Sequence, residues 1–169
     1  YEEQFPVAVA FPPEMISNPL GRVLSDCGKT QLRVAETYKY AHVTYFFNGY
    51  REDPYPNEYR VLIPSMSIPH IEEHPEMRAA EITDRVIQAI QDRSFDFILA
   101  NYANPDTIGH TGNYDAGLLA VQTIDRELAR LLQAAEGTST VLMIAADHGN
   151  IEEMLNPMTA RPETQHDSS

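Results

Sequence analysis

Apolar positions along this chain follow two rhythms, one helical and one strand-like. Between Arg78 and Asp92, Ile82, Val86 and Ile90 recur every four residues, with Ala79, Ile87 and Ala89 beside them. That spacing predicts an amphipathic helix over 78–92. Between Tyr114 and Ala135, Leu118, Val121, Ile124, Leu128, Leu131 and Leu132 keep a helical period, and Gly137 follows the end. They predict a second, longer helix carrying an apolar stripe. A short helix over 18–27 would place Leu20, Val23 and Leu24 on one face, with Gly28 just beyond it. The strand-like runs are different. "FDFILANYA" (95–103) and "TVLMIAA" (140–146) are apolar almost throughout, "QLRVAE" (31–36) alternates, "VLIPS" (61–65) is short, and "FPVAVAF" (5–11) is broken by Pro12 and Pro13. The segment 38–49 fits either a strand, by its aromatic and β-branched residues, or a helix ending at Gly49. Residues 49–60 form a polar, proline-bearing loop, and "SIPHIEEHPEM" is irregular. Continuously apolar strands separated by long helices predict an α/β fold, with a mostly parallel central sheet flanked by helices.

Charge and length narrow the function. The chain has 169 residues, enough for one domain, and a formal net charge of −13. An acidic surface excludes nucleic acid and anionic membrane as expected partners, because both need basic patches. It leaves room for a phosphorylated small molecule, which needs only a few placed cations. Cys27 is the sole cysteine, so no internal disulfide forms and a reducing, cytoplasmic setting is expected. No apolar run reaches the length of a membrane helix. The first residues, "YEEQFPVAVAFPP", begin without methionine and inside a strand-like run, and "TQHDSS" closes no element. A piece of a longer polypeptide is the expectation.

The chemistry sits where two apolar runs stop. After "FILANYA" come Asp106 and His110 in "NPDTIGHTG", and after "TVLMIAA" come Asp147 and His148 in "DHGN". His166 lies further on, in "PETQHD". In parallel α/β sheets, ligands gather beyond the carboxyl ends of the strands. Carboxylates and imidazoles together suit borderline divalent ions such as manganese or zinc, and the lack of thiolates argues against a purely structural zinc. Asp106 and His110 are four apart, a helical spacing, but Pro105 and Gly109 favour an irregular loop. Spacing alone favours ordinary loop polar groups, and the two polar clusters at successive strand ends make a metal site an equal reading.

A family resemblance adds to this. "AETYKYAHVTYFFNGYRE", "NYANPDTIGHTGNYDAGLLAVQTID" and "ADHGN" resemble the cofactor-independent phosphoglycerate mutases of the alkaline phosphatase superfamily, over nearly the whole chain. The resemblance implies a manganese-dependent enzyme, in the cytoplasm and monomeric. Such an enzyme interconverts 3-phosphoglycerate and 2-phosphoglycerate through a phosphoserine, with two manganese ions. It implies Asp106, His110 and His166 as ligands of one manganese, Asp147 and His148 as ligands of the other, and Lys39 as a contact of the transferred phosphoryl group. It also implies that residues 1–13 end an inserted transferase domain and linker, that 14–169 form the C-terminal portion of the phosphatase domain, and that the nucleophilic serine lies outside this chain. The chain alone is then expected to be inactive. Other alkaline-phosphatase-superfamily metalloenzymes share "DHG", among them phosphopentomutases and phosphatases. A non-catalytic interaction module that kept the fold is a third reading. "ETYKYAHVTYFFNG" favours the mutase.

Overall fold

The computed structural model describes residues 8–11, 14, 16–156, 158–159 and 161–166. Its centre is a three-stranded sheet: β1 (Gln31–Glu36), β2 (Glu58–Ile63) and β3 (Phe97–Asn101), in the order β2-β1-β3. Both pairings are parallel, with Leu32 opposite Tyr59 and Ile98. Around it lie α1 (Leu20–Asp26), α2 (Ala79–Asp92), α3 (Asn104–Gly109) and α4 (Tyr114–Ala135). The expected α/β class and the two long helices are therefore observed almost to the residue.

The alternation in β1 has a different meaning from a buried and a wet face, because all six residues are buried. One face is apolar. Leu32 and Val34 pack with Ile82, Val86 and Ile90 of α2, and Leu131 of α4 joins them. The other face is polar and covered. Gln31 donates to the Gly21 carbonyl of α1 at 2.8 Å. The Arg33 guanidinium lies over the Phe47 and Phe97 rings, 4.3 and 5.2 Å from their centroids. Burial pulls the Arg33 pKa down to about 10 despite the attraction of Glu58. The ambiguous segment 38–49 supplies this cover as a turn at Thr37–Lys39 followed by a π-helical turn at His42–Phe46. At the carboxyl end of β1, buried Glu36 accepts from Ser65 Oγ at 2.7 Å and from the Arg78 backbone N–H at 3.3 Å. The strand tip is thereby tied to the start of α2.

Three expectations fail. Residues 104–109 are helix α3, not an irregular loop, since proline is tolerated in a first turn, where its missing N–H has no partner to lose. The run 140–146 forms no strand. Its Leu142 touches the core, but Val141 and Met143 are 83% and 89% exposed. An apolar strand needs a neighbour, and among the described residues β3 pairs only with β1. The predicted stripe of α4 is likewise rotated: Ala116, Ala120, Thr123, Glu127 and Leu131 are buried, while Leu118, Val121 and Leu132 face outward. The strand expected over 5–11 falls partly outside the described residues, and 8–11 are not in a strand. The boundary expected at 13 also lies outside the described residues.

Candidate metal centre

The carboxyl ends of β1 and β3 are neighbours in the sheet, so the residues that follow them meet. Lys39 follows β1 in its short turn, and Asp106 follows β3 in the first turn of α3. Lys39 Nζ lies 2.7 Å from Asp106 Oδ2, and its side chain is only 6% exposed. The second core cluster fixes α3, with Ala103 and Ile108 against Met77, Ala116 and Ala120. Asn104 adds two 2.8 Å donations to the Pro75 and Glu76 carbonyls. His110 closes α3 one helical turn after Asp106.

Imidazoles converge on the other carboxylate oxygen. Asp106 Oδ1 lies 2.9 Å from His166 Nε2, 3.1 Å from His110 Nε2 and 3.9 Å from His148 Nε2. His110 and His166 bring their Nε2 atoms within 3.0 Å, and the His148 and His166 rings stack with centroids 3.8 Å apart. Asp147 sits at the rim, half exposed, with Oδ2 3.6 Å from His148 Nε2 and 3.9 Å from Lys39 Nζ. The structure thus gathers Asp106, His110, His148 and His166 tightly, with Lys39 beneath and Asp147 at the edge. His70 and His74, in contrast, pair with Glu72 and Glu76 on the surface.

Tautomers follow from the partners. His110 Nδ1 is 2.7 Å from the Thr164 carbonyl, and His148 Nδ1 is 3.2 Å from the Gly149 carbonyl. A carbonyl only accepts, so each Nδ1 carries a proton and each Nε2 is the ring nitrogen that faces the cluster. This is the arrangement a ligating imidazole uses. The carboxylate is held ionised. Burial alone would raise the Asp106 pKa, but hydrogen bonds from Lys39 and Asn150, with the charges of Lys39 and His110, bring it down to about 2. One atom each from Asp106, His148 and His166 lies within 4.8 Å of the others, a group that could hold a metal ion. Oxygen and nitrogen donors without sulfur fit a borderline divalent ion.

Sequence reasoning missed Asn150. It is buried, and its Nδ2 lies 3.0 Å from Asp106 Oδ1. Its only signal was its place in "DHGN", since amides are uncommon ligands for such ions.

The description "Metalloenzyme superfamily" matches residues 9–168. The chain belongs to this superfamily. Membership agrees with the cluster of oxygen and nitrogen donors around Asp106. Among relatives, the 2,3-bisphosphoglycerate-independent phosphoglycerate mutase of Thermomicrobium roseum is 52% identical over 166 residues, covering 98% of this chain and 32% of that protein. The protein of the same name from Nitrosococcus oceani is 48% identical over the same shares. A crystal structure of Leishmania mexicana phosphoglycerate mutase at low cobalt concentration superposes with a TM-score of 0.81 at 31% identity, covering 86% of this chain and 29% of that one. The superfamily chain described here therefore spans about one third of the length of these curated relatives.

Proposed function

We propose that this chain is the metal-binding portion of a manganese-dependent, 2,3-bisphosphoglycerate-independent phosphoglycerate mutase, interconverting 3- and 2-phosphoglycerate. The observation that carries the reading is the meeting of Asp106, His110, His148 and His166, from three segments, with the Nε2 atoms of His110 and His148 held inward. The named relatives support the choice of substrate. In this reading Asp106, His110 and His166 ligate one ion, and Asp147 and His148 serve a second. Residues 14–169 belong to the phosphatase domain, 1–13 end an inserted domain, and the protein works as a cytoplasmic monomer.

Bound divalent ions would neutralise phosphoryl charge and activate an oxygen nucleophile. The chain's own residues do the rest. Lys39 brings a positive charge to the floor of the site, where a phosphoryl group accumulates negative charge. Asp106 stays anionic at working pH because Lys39 and Asn150 stabilise its charged form. The rigid strand tips hold these groups in place, so little reorganisation is needed when substrate arrives.

The test is an enolase-coupled assay on the complete natural polypeptide, with 3-phosphoglycerate and manganese and without 2,3-bisphosphoglycerate. Turnover that a chelator abolishes and manganese restores is expected, with none from the 169-residue chain alone. Hydrolysis of p-nitrophenyl phosphate without mutase turnover would replace this reading by a phosphatase.

A further inference from the structure

We infer that Asn150 is a positioning residue for the metal ligands, held in its orientation by Gly109. The inference rests on the metal reading proposed above and extends it to two residues that are not ligands. Asn150 Nδ2 faces three atoms: Asp106 Oδ1 at 3.0 Å, the Asp106 carbonyl at 3.4 Å and His110 Nε2 at 3.4 Å. The two Asp106 oxygens can only accept. The amide NH2, not its oxygen, must therefore point into the cluster. From that position it holds the carboxylate of Asp106 beside His110.

The other side of the amide explains Gly109. A Cβ built on Gly109 would lie 2.4 Å from Asn150 Oδ1 and 2.9 Å from its Cγ. The end of α3 thus packs directly on the carboxamide, and only glycine leaves room for it. Asn150 Oδ1 itself is buried and accepts no hydrogen bond among the described residues, so it contributes shape rather than bonding. The glycine of "TIGH" and the asparagine of "DHGN" work as one lock between two segments 41 positions apart in sequence. The ligand-bearing loop cannot shift relative to α3 while the lock is intact.

Residues that orient metal ligands typically contribute about 10–100-fold in metal affinity. The experiment uses the complete natural polypeptide, stripped of metal with a chelator, and titrates cobalt(II) by calorimetry and by its visible spectrum. Asn150→Ala and Gly109→Ala are each expected to weaken binding about 10–100-fold and to change the cobalt band. Because both break the same lock, the double variant is expected to bind no worse than the weaker single. A purely structural Asn150 would lower the melting temperature of the metal-free protein and leave the affinity of the folded fraction and its spectrum unchanged. That outcome overturns the inference, as do two additive losses in the double variant. If Asn150→Ala does not fold, Gly109→Ala decides by the same criteria. A parent that binds no cobalt overturns the metal reading itself, whereas a parent that binds while both variants match it overturns only the lock.

Discussion

Asp106→Asn is expected to destabilise the metal-free chain by roughly 2–3 kcal/mol and to abolish metal binding. The carboxylate serves two donors at once, Lys39 on Oδ2 and the Asn150 amide on Oδ1. A carboxamide accepts on one side only, so its NH2 must face either Lys39 or the NH2 of Asn150. Lys39 is almost fully buried, and its other carboxylate, Asp147, is 3.9 Å away and half exposed. Removing one partner of a buried ion pair leaves the other charge uncompensated, which costs about 3–5 kcal/mol when no substitute exists. The residual Asp147 contact places the effect at the low end. The pKa agrees: a fall from the ordinary 3.8 to about 2 corresponds to roughly 2.5 kcal/mol. The sign gives a pH test. The folded pKa lies below the unfolded one, so this contribution is complete above pH 3.8 and is lost as pH falls towards 2. Urea melts in a chelator should show parent and variant far apart at neutral pH and converging in acid. A constant gap at all pH values would refute the assignment.

The second large effect lies away from the site. Ile82→Ala should lower stability by about 3–4 kcal/mol, within the range for buried aliphatic truncations. Ile82 is fully buried at the contact of α2 with Leu32 and Val34 of the central strand, where the three-stranded sheet offers few atoms to fill the gap. The urea midpoint should drop with an unchanged slope. Leu118→Ala is the matched control: Leu118 is 51% exposed on α4, and a change within about 0.5 kcal/mol is expected. Equal losses at the two positions would mean that α4 packs through its predicted stripe after all.

That contrast marks the limit of what the chain's pattern reveals. Helix extents were legible because periodicity and end signals are local, as at Gly137, whose φ of 72° follows α4. Burial is relational. The pattern at 118, 121 and 132 and the run 140–146 read as buried, yet each needs a partner that no described residue supplies. In β1 the same alternation concealed a polar face, because Arg33 is sheathed by aromatic rings instead of water. The candidate site was legible where its side chains are chemically distinctive and follow an apolar run, as with Asp106 after β3 and His148 after 140–146. Asn150 escaped notice because its contribution is orientation, which residue type alone does not advertise.

The exposed run at 140–146 also governs how this chain behaves in concentrated solution. "TVLMIAA" contains seven residues without charge or proline, the makeup of a segment that stacks into cross-β assemblies. With Val141, Met143 and Ile144 open to solvent, what keeps one molecule from templating on the next is mutual repulsion from a net charge of −13. That repulsion is screened within about 8 Å at physiological salt and vanishes near the isoelectric point of 4.7. Colloidal stability in this chain is therefore expected to be electrostatic and to fall in acid or in salt.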